Sequence, residues 1–334
     1  MARLAATAGT VCQRDTACLN RSEQFLAIRT NSGRIARPFD MTDTKLEQYF
    51  TMNRLFVDNL TVLDFSYFHP KRGVVGESWI VDVELVGELN DEGMVFDFGH
   101  VKKLLKQALD NGMDHTLVVP TQLAGVEVIH HADSDMIEIR YHNSDNALAF
   151  AYQSPRDAVY LVDAEQVSIA TALPLLQNHL NSLVPSNVKQ VSLKLRAENI
   201  DAAFYHYSHG LKKHLGDCQR ICHGHRSRVE IFRNGKRDFD VEQEWAQRFC
   251  DIYLITEDDL LPSEHQGLTH VGYDAEQGRF DVWLNPKQCY NMNSDTTVEL
   301  IGSHICDQLK LESPNDHWLV RAFEGVQKGS IAER

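Results

Sequence analysis

Three histidines in the second half of the chain have the types and spacing to hold a metal ion. His223 and His225 flank a glycine in a stretch that reads as a β-strand, and side chains two residues apart on a strand leave from the same face. His209 ends the preceding strand, so an antiparallel pairing would bring a third imidazole to the other two. Three histidine ligands leave a fourth position open to water or a substrate oxygen, the arrangement of a catalytic rather than a structural Zn2+. His-x-His alone is a weak signal. The nearby His206 and His214 keep open the plainer reading of a histidine-rich exposed strand.

Cys218 lies just upstream, in Gly216-Asp-Cys-Gln-Arg-Ile-Cys-His-Gly-His225. A thiol beside Zn2+ and basic residues is a candidate base. Cys222 could instead be a fourth ligand, but it directly precedes His223 and should point to the opposite strand face, so it is read as core. Lys212, Lys213, Arg226 and Arg228 surround the motif. They could give an anionic substrate a local positive field, or form a solvated basic face.

The elements that must position these residues repeat along the chain. In the first half, Leu55 to Phe68 and Ile80 to Val86 read as strands, with Asn90-Asp-Glu-Gly93 as a turn between two strand-like runs. Asp97 to Leu109 switches to helical spacing and Asn111-Gly112 stops it. A second helix fits Val167 to Leu183 and a strand Val188 to Leu195. In the second half the same order reads as strands at Ala203–Tyr207 and Arg228–Phe232, a turn at Asn234-Gly235 and a helix over Asp240–Cys250. A strand at Phe280–Leu284, a helix over Val298–Leu309 and a strand at Leu319–Phe323 follow.

Side by side, Phe65-Ser-Tyr-Phe-His69 faces Tyr205-His-Tyr-Ser-His209, and Val75-Gly-Glu77 faces His223-Gly-His225. Asp97-Phe98 faces Asp238-Phe239, and Arg196-Ala-Glu198 faces Ala322-Phe-Glu324. This predicts an extension over 1–50, disordered or preceding a true start at Met41 or Met52, then one α+β domain over 51–199 and a second over 200–334.

The bulk numbers exclude several classes. A net charge of -14 over 334 residues disfavours non-specific binding to nucleic acid and anionic membranes. No apolar run approaches the ~18 residues of a membrane-spanning helix. Seven cysteines, with none between 18 and 218, are no disulfide framework, which points to a reducing cytoplasm. The start lacks the apolar core of an export signal.

Taken together, these residues resemble the 6-pyruvoyltetrahydropterin synthase family, including its 6-carboxytetrahydropterin synthase branch in queuosine biosynthesis. The likeness covers about 53–334, twice, and each copy is incomplete. The first carries Gly93-Met-Val-Phe-Asp-Phe98 and Met113-Asp114-His115-Thr-Leu117 but keeps only His69 of the metal set. The second carries the three histidines, Cys218 and Glu324, but has no Asp-His after its helix. Asp316-His317 is a decoy, placed just before the last strand. Cys218 sits one place off the spacing of the carboxy branch.

The resemblance implies a tunnelling fold: two tandem domains, each an antiparallel four-stranded sheet with helices on one face, closing into barrels as a homo-oligomer, three chains supplying six domains. It implies a Zn2+-dependent lyase acting on 7,8-dihydroneopterin triphosphate to give 6-carboxytetrahydropterin or 6-pyruvoyltetrahydropterin. Its composite site takes Zn2+ on His209, His223 and His225, with Cys218, Asp114 and His115 catalytic. Glu324 anchors the pterin and Thr297 lines the pocket. Asp114-His115 read without the resemblance is an ordinary helix-to-strand cap. The competing functions are an inactive pterin-binding or scaffold protein that keeps its zinc, and a zinc-dependent lyase or hydrolase of another heterocycle.

Overall fold

The computed structural model describes residues 52–334; the readings made for 1–50 lie outside the described residues. The first half runs β1 (Asn53–His69), β2 (Gly73–Gly87), α1 (Phe98–Asp110), β3 (Leu117–Pro120), β4 (Val126–His130), β5 (Met136–His142), β6 (Leu148–Pro155), β7 (Val159–Val162), α2 (Ile169–Asn181) and β8 (Val188–Ala197). The second runs β9 (Phe204–His209), β10 (His223–Arg233), β11 (Lys236–Arg237), α3 (Phe239–Arg248), β12 (Ile252–Thr256), β13 (Leu260–Leu261), β14 (Thr269–Ala275), β15 (Gly278–Leu284), β16 (Cys289–Met292), α4 (Val298–Glu312), β17 (Trp318–Phe323) and β18 (Gly329–Glu333).

Local chemistry sets the helix ends. Asp97 accepts from His100 N–H at the start of α1, and Ser168 and Thr171 form a reciprocal capping box on α2. Asn90 Oδ1 accepts from the amides of Glu92 and Met94. The turn it closes leads into α1, not into a second strand run as the composition suggested. On β1, Leu63 and Phe65 pack with Trp79 and Val81 of β2 against Val101, Leu105 and Leu109 of α1. Truncating a fully buried leucine such as Leu105 to alanine costs about 2–5 kcal/mol. A matching core joins Tyr205, Tyr207 and Val229 to Trp245, Ile301 and Ile305.

Among the described residues the two main sheets have orders β7-β3-β1-β2-β8 and β16-β12-β9-β10-β17-β18, the second with β11 attached to β10. The expected sheet of four antiparallel strands is therefore larger and mixed. β3 pairs parallel to β1 and β7 parallel to β3, while β12 and β16 do the same beside β9. β3 is fully buried and β12 nearly so, so both lack the two-residue alternation that reveals a half-exposed strand, while β7 and β16 are only 4 residues long.

Between each pair of parallel strands the chain makes an excursion, β4-β5-β6 in one half and β13-β14-β15 in the other. The two excursions join through β6 and β15, Tyr152 opposite Val282, into one six-stranded sheet ordered β13-β14-β15-β6-β5-β4. The halves also meet where β2 crosses β9 and β10. A Cβ on Gly76 would lie 1.9 Å from Tyr207 O, and one on Gly224 would lie 2.7 Å from Gly76 Cα. Glycine on both sides is what lets the two backbones touch. Ser66 Oγ donates to Ser208 Oγ at 2.7 Å beside this crossing.

Candidate metal and catalytic site

The β9–β10 hairpin sets the histidines by register. His209 lies directly opposite His223, and Tyr207 opposite His225, so all three imidazoles leave one face. One ring nitrogen of each lies within 4.8 Å of those of the other two, and all three residues are buried. Two of the Nδ1 atoms have backbone carbonyl partners, and the third, on His225, has a carboxylate within reach but no aligned hydrogen bond. That of His209 lies 2.9 Å from Thr296 O, that of His223 lies 2.9 Å from Arg220 O, and that of His225 lies 3.2 Å from Asp64 Oδ1. Nε2 of His209 and of His225 is buried with no hydrogen-bond partner.

Buried polar atoms without partners are costly, and these belong to the cluster of three imidazoles. Burial, reinforced by the neighbouring histidines, pushes His209 and His223 well below the usual imidazole range, so both are neutral and able to ligate. The donor set therefore fits a zinc ion bound through Nε2.

Cys218 lies in the turn Gly216–Gln219 between the two strands. Its carbonyl accepts from Leu211 N–H, and the turn is pinned by Tyr273 Oη donating to Gln219 O at 2.9 Å. Cys222 is fully buried in the apolar cluster shared with the six-stranded sheet. Its thiol is pushed up by burial.

The first half supplies the neighbours of Cys218. His115 sits at φ 54° just before β3, a left-handed position uncommon for non-glycine residues. Its Nδ1 lies 2.7 Å from Asp114 Oδ2, and its ring centroid is 5.1 Å from that of His223. A ligand-capable atom from each of His115, Cys218 and His223 falls within one 4.8 Å cluster. Burial alone would lower His115, but hydrogen bonds to Asp114 and Cys218 outweigh it and push the imidazole up to about 10.

Glu324 follows β17 directly and is half-buried. Its Oε2 is 3.6 Å from Lys328 Nζ, which is itself 3.4 Å from Asp64 Oδ2. Thr297 caps α4 by accepting from Leu300 N–H and lines a cleft beside the metal hairpin with Gly210, Lys213 and Asp295. The four basic residues have partners already. Lys212 pairs with Asp259, Lys213 with Asp295, and Arg228 with Glu198, while Arg226 donates to Glu198 O and stacks on Phe204.

The register also corrects the comparison of the halves. His69 lies opposite Gly73, and Tyr67 opposite Val75. The positions matching His223 and His225 are therefore Gly73 and Val75, two residues before the pair matched by composition. The slip arises because residues 70–72 alone connect β1 to β2, whereas 210–222, carrying Cys218, connect β9 to β10.

Sequence reasoning missed Asp64, Ser78 and Thr296, which surround the histidines from outside the motif. In the strand Leu63-Asp-Phe-Ser66 the only available signal was a carboxylate alternating with core residues.

The 6-pyruvoyl tetrahydropterin synthase family model matches residues 58–169 and again 200–331, and the chain belongs to that family. A Pyrococcus horikoshii protein described as a candidate 6-carboxy-5,6,7,8-tetrahydropterin synthase is 25% identical over 141 residues, 41% of this chain and 77% of its own length. Its counterpart in Pyrococcus abyssi is 23% identical over 138 residues, covering 41% and 77%. The solved 6-pyruvoyl tetrahydropterin synthase of Plasmodium vivax is 17% identical, with a TM-score of 0.33, over 44% of this chain and 98% of its own. Among the described residues no helix is long and apolar enough to cross a membrane.

Proposed function

We propose that this chain is a zinc-dependent lyase acting on 7,8-dihydroneopterin triphosphate, with each active site composed from both halves of one chain. The observation that carries the reading is His115. It stands between Asp114 of its own half and Cys218 of the other, 5.1 Å from the His223 ring.

Zn2+ on His209, His223 and His225 would supply Lewis-acid polarisation of the substrate's side-chain oxygens. Cys218 Sγ takes a proton from the side-chain carbon. His115, held protonated by Asp114, stabilises the thiolate and returns a proton. Glu324 accepts from the ring N–H and amino groups of the pterin, and the cleft at Thr297 borders the same space. Triphosphate leaves by elimination.

The product is 6-carboxytetrahydropterin: the two outer side-chain carbons leave as acetaldehyde, and one water is consumed to supply the second oxygen of the carboxyl group on the carbon that remains, in keeping with what the Pyrococcus relatives are named for; 6-pyruvoyltetrahydropterin is the second choice. Closure of the sheets into barrels by three or more chains in the cytoplasm completes the proposal.

The test is metal analysis together with mass spectrometry of the pterin product for wild type, Cys218→Ala and Asp114→Asn. About one zinc per chain with turnover lost in both variants supports the reading. Zinc without turnover in wild type sinks the lyase and leaves a pterin-binding protein.

A further inference from the structure

Asp64 is a carboxylate buried at the junction of the halves, 3% exposed. It stands on β1 directly opposite Ser78 of β2 and is held from three sides. Ser78 Oγ donates to Oδ1 at 2.5 Å, Lys328 Nζ lies 3.4 Å from Oδ2, and Oδ1 is 3.2 Å from His225 Nδ1. Ser78 is itself fixed by the second half, since Arg226 N–H donates to its Oγ at 3.1 Å. Gly325 leaves room for the carboxylate: its φ is 65°, and a Cβ there would meet Asp64 Oδ1 at 2.4 Å.

His225 needs such a neighbour. Its two ring nitrogens are buried and make no aligned hydrogen bond. His209 and His223 have their Nδ1 atoms set by carbonyls of their own half. The acceptor within reach of His225 Nδ1 comes instead from the other half of the chain. A histidine that ligates through one nitrogen requires a proton acceptor at the other to fix its tautomer and ring orientation.

The backbone of the same residue reaches the catalytic pair. Asp64 N–H donates to Asp114 Oδ1 at 2.7 Å, and His115 N–H donates to Asp64 O at 2.7 Å.

We infer that Asp64 is a positioning residue of the metal centre: its carboxylate accepts from His225 Nδ1–H when Nε2 holds zinc, and its backbone sets Asp114 and His115 in register with that metal. The inference rests on the zinc part of the proposed function. It makes metal affinity in the second half depend on a side chain of the first.

The test uses the full chain with zinc alone, titrated against a chromophoric chelator, and the visible absorption of the cobalt-substituted protein. Asp64→Asn should weaken zinc binding by about 10- to 100-fold and alter the cobalt bands. Asp82→Asn, another carboxylate of the same sheet, which pairs with Arg196 instead, should change neither. Ser78→Ala, which frees the carboxylate without removing it, should weaken zinc binding in the same direction by less, and it stands in if Asp64→Asn does not fold. Wild-type affinity and cobalt bands in a folded Asp64→Asn, or wild-type affinity in Ser78→Ala if only that variant folds, would overturn the role of Asp64 alone. A wild type that binds neither metal would overturn the zinc reading and this inference with it.

Discussion

At one junction between the halves, His115, just before β3, reaches Cys218 and the histidines of the β9–β10 hairpin. At the other, Asp251, just before β12, meets Arg72 of the β1–β2 hairpin. Both residues hold the same left-handed backbone conformation, φ 54° at His115 and 56° at Asp251. Their chemistry has diverged. Arg72 Nε and Nη2 donate to the two oxygens of Asp251 at 2.7 and 2.6 Å, and Nη1 donates to Tyr67 Oη at 2.8 Å. A guanidinium ion pair fills the second junction where the first gathers imidazoles. His69 there accepts from the amides of Lys71 and Arg72 and so closes the tight turn. One junction thus gathers imidazoles around a thiol, and its counterpart is an ion-pair clamp. A duplicated chain can specialise in this way because each junction takes one part from each half, so losing the histidines from one hairpin disables one junction only.

The largest effect should come from the hairpin that gathers imidazoles. His223→Ala removes one of the three proposed zinc ligands, so zinc affinity should fall by more than the ~100-fold upper range for outer partners. Chelator competition measures this. If the variant kept wild-type zinc, the metal would lie elsewhere and the contrast between the junctions would collapse.

Next in size are the two glutamates that follow the closing strands. Glu324→Gln should lower kcat/KM for the pterin by roughly 10- to 100-fold, the ~1.5–3 kcal/mol of hydrogen bonds to a charged group. Glu198, paired with Arg228 and with Oε2 unpartnered, belongs to the clamp side. Glu198→Gln should leave kcat/KM unchanged. Equal losses in both variants would mean that both junctions bind substrate.

The clamp should answer to stability rather than to metal. Arg72→Met leaves the Asp251 carboxylate, 16% exposed, without its bidentate partner, a cost of about 1–3 kcal/mol. Denaturant unfolding would show it, with zinc affinity held at the wild-type value. A variant that lost zinc as well would show that the junctions are mechanically coupled through the Gly76–Gly224 crossing.

How much of this could be read from the chain follows from the range of each interaction. His209, His223 and His225 stand together because two adjacent strands carry them, and Asp114-His115 drew notice as a dipeptide in a family motif. Of the parallel additions, β3 and β12 were hidden by near-uniform burial, and β7 and β16 by their shortness, 4 residues each. The six-stranded sheet was hidden because its seam joins residues far apart, Tyr152 and Val282. The register slip at Val75 came from a loop-length difference that local composition does not record. Asp64 escaped notice because its role depends on a partner in the other half, and no local spacing encodes that contact.

A pH dependence also separates the junctions. His115 is raised from the ordinary imidazole value of 6.5 to about 10. A group whose proton is held more tightly in the folded state adds stability that is complete below its unfolded value, about 6.5. That contribution declines as the pH rises and is gone once the folded value, about 10, is passed. In zinc-free protein, wild type should therefore exceed His115→Gln in unfolding free energy by its full margin near pH 6, and the margin should shrink steadily from pH 7 towards 10. The clamp responds differently, because Arg72 is raised still further above its already high value by Asp251 despite burial and stays charged throughout. The deficit of Arg72→Met should accordingly be flat over the same interval. A margin for His115 that is equally flat would mean that the imidazole is not held protonated between Asp114 and Cys218, and the two junctions would then differ in composition but not in proton chemistry.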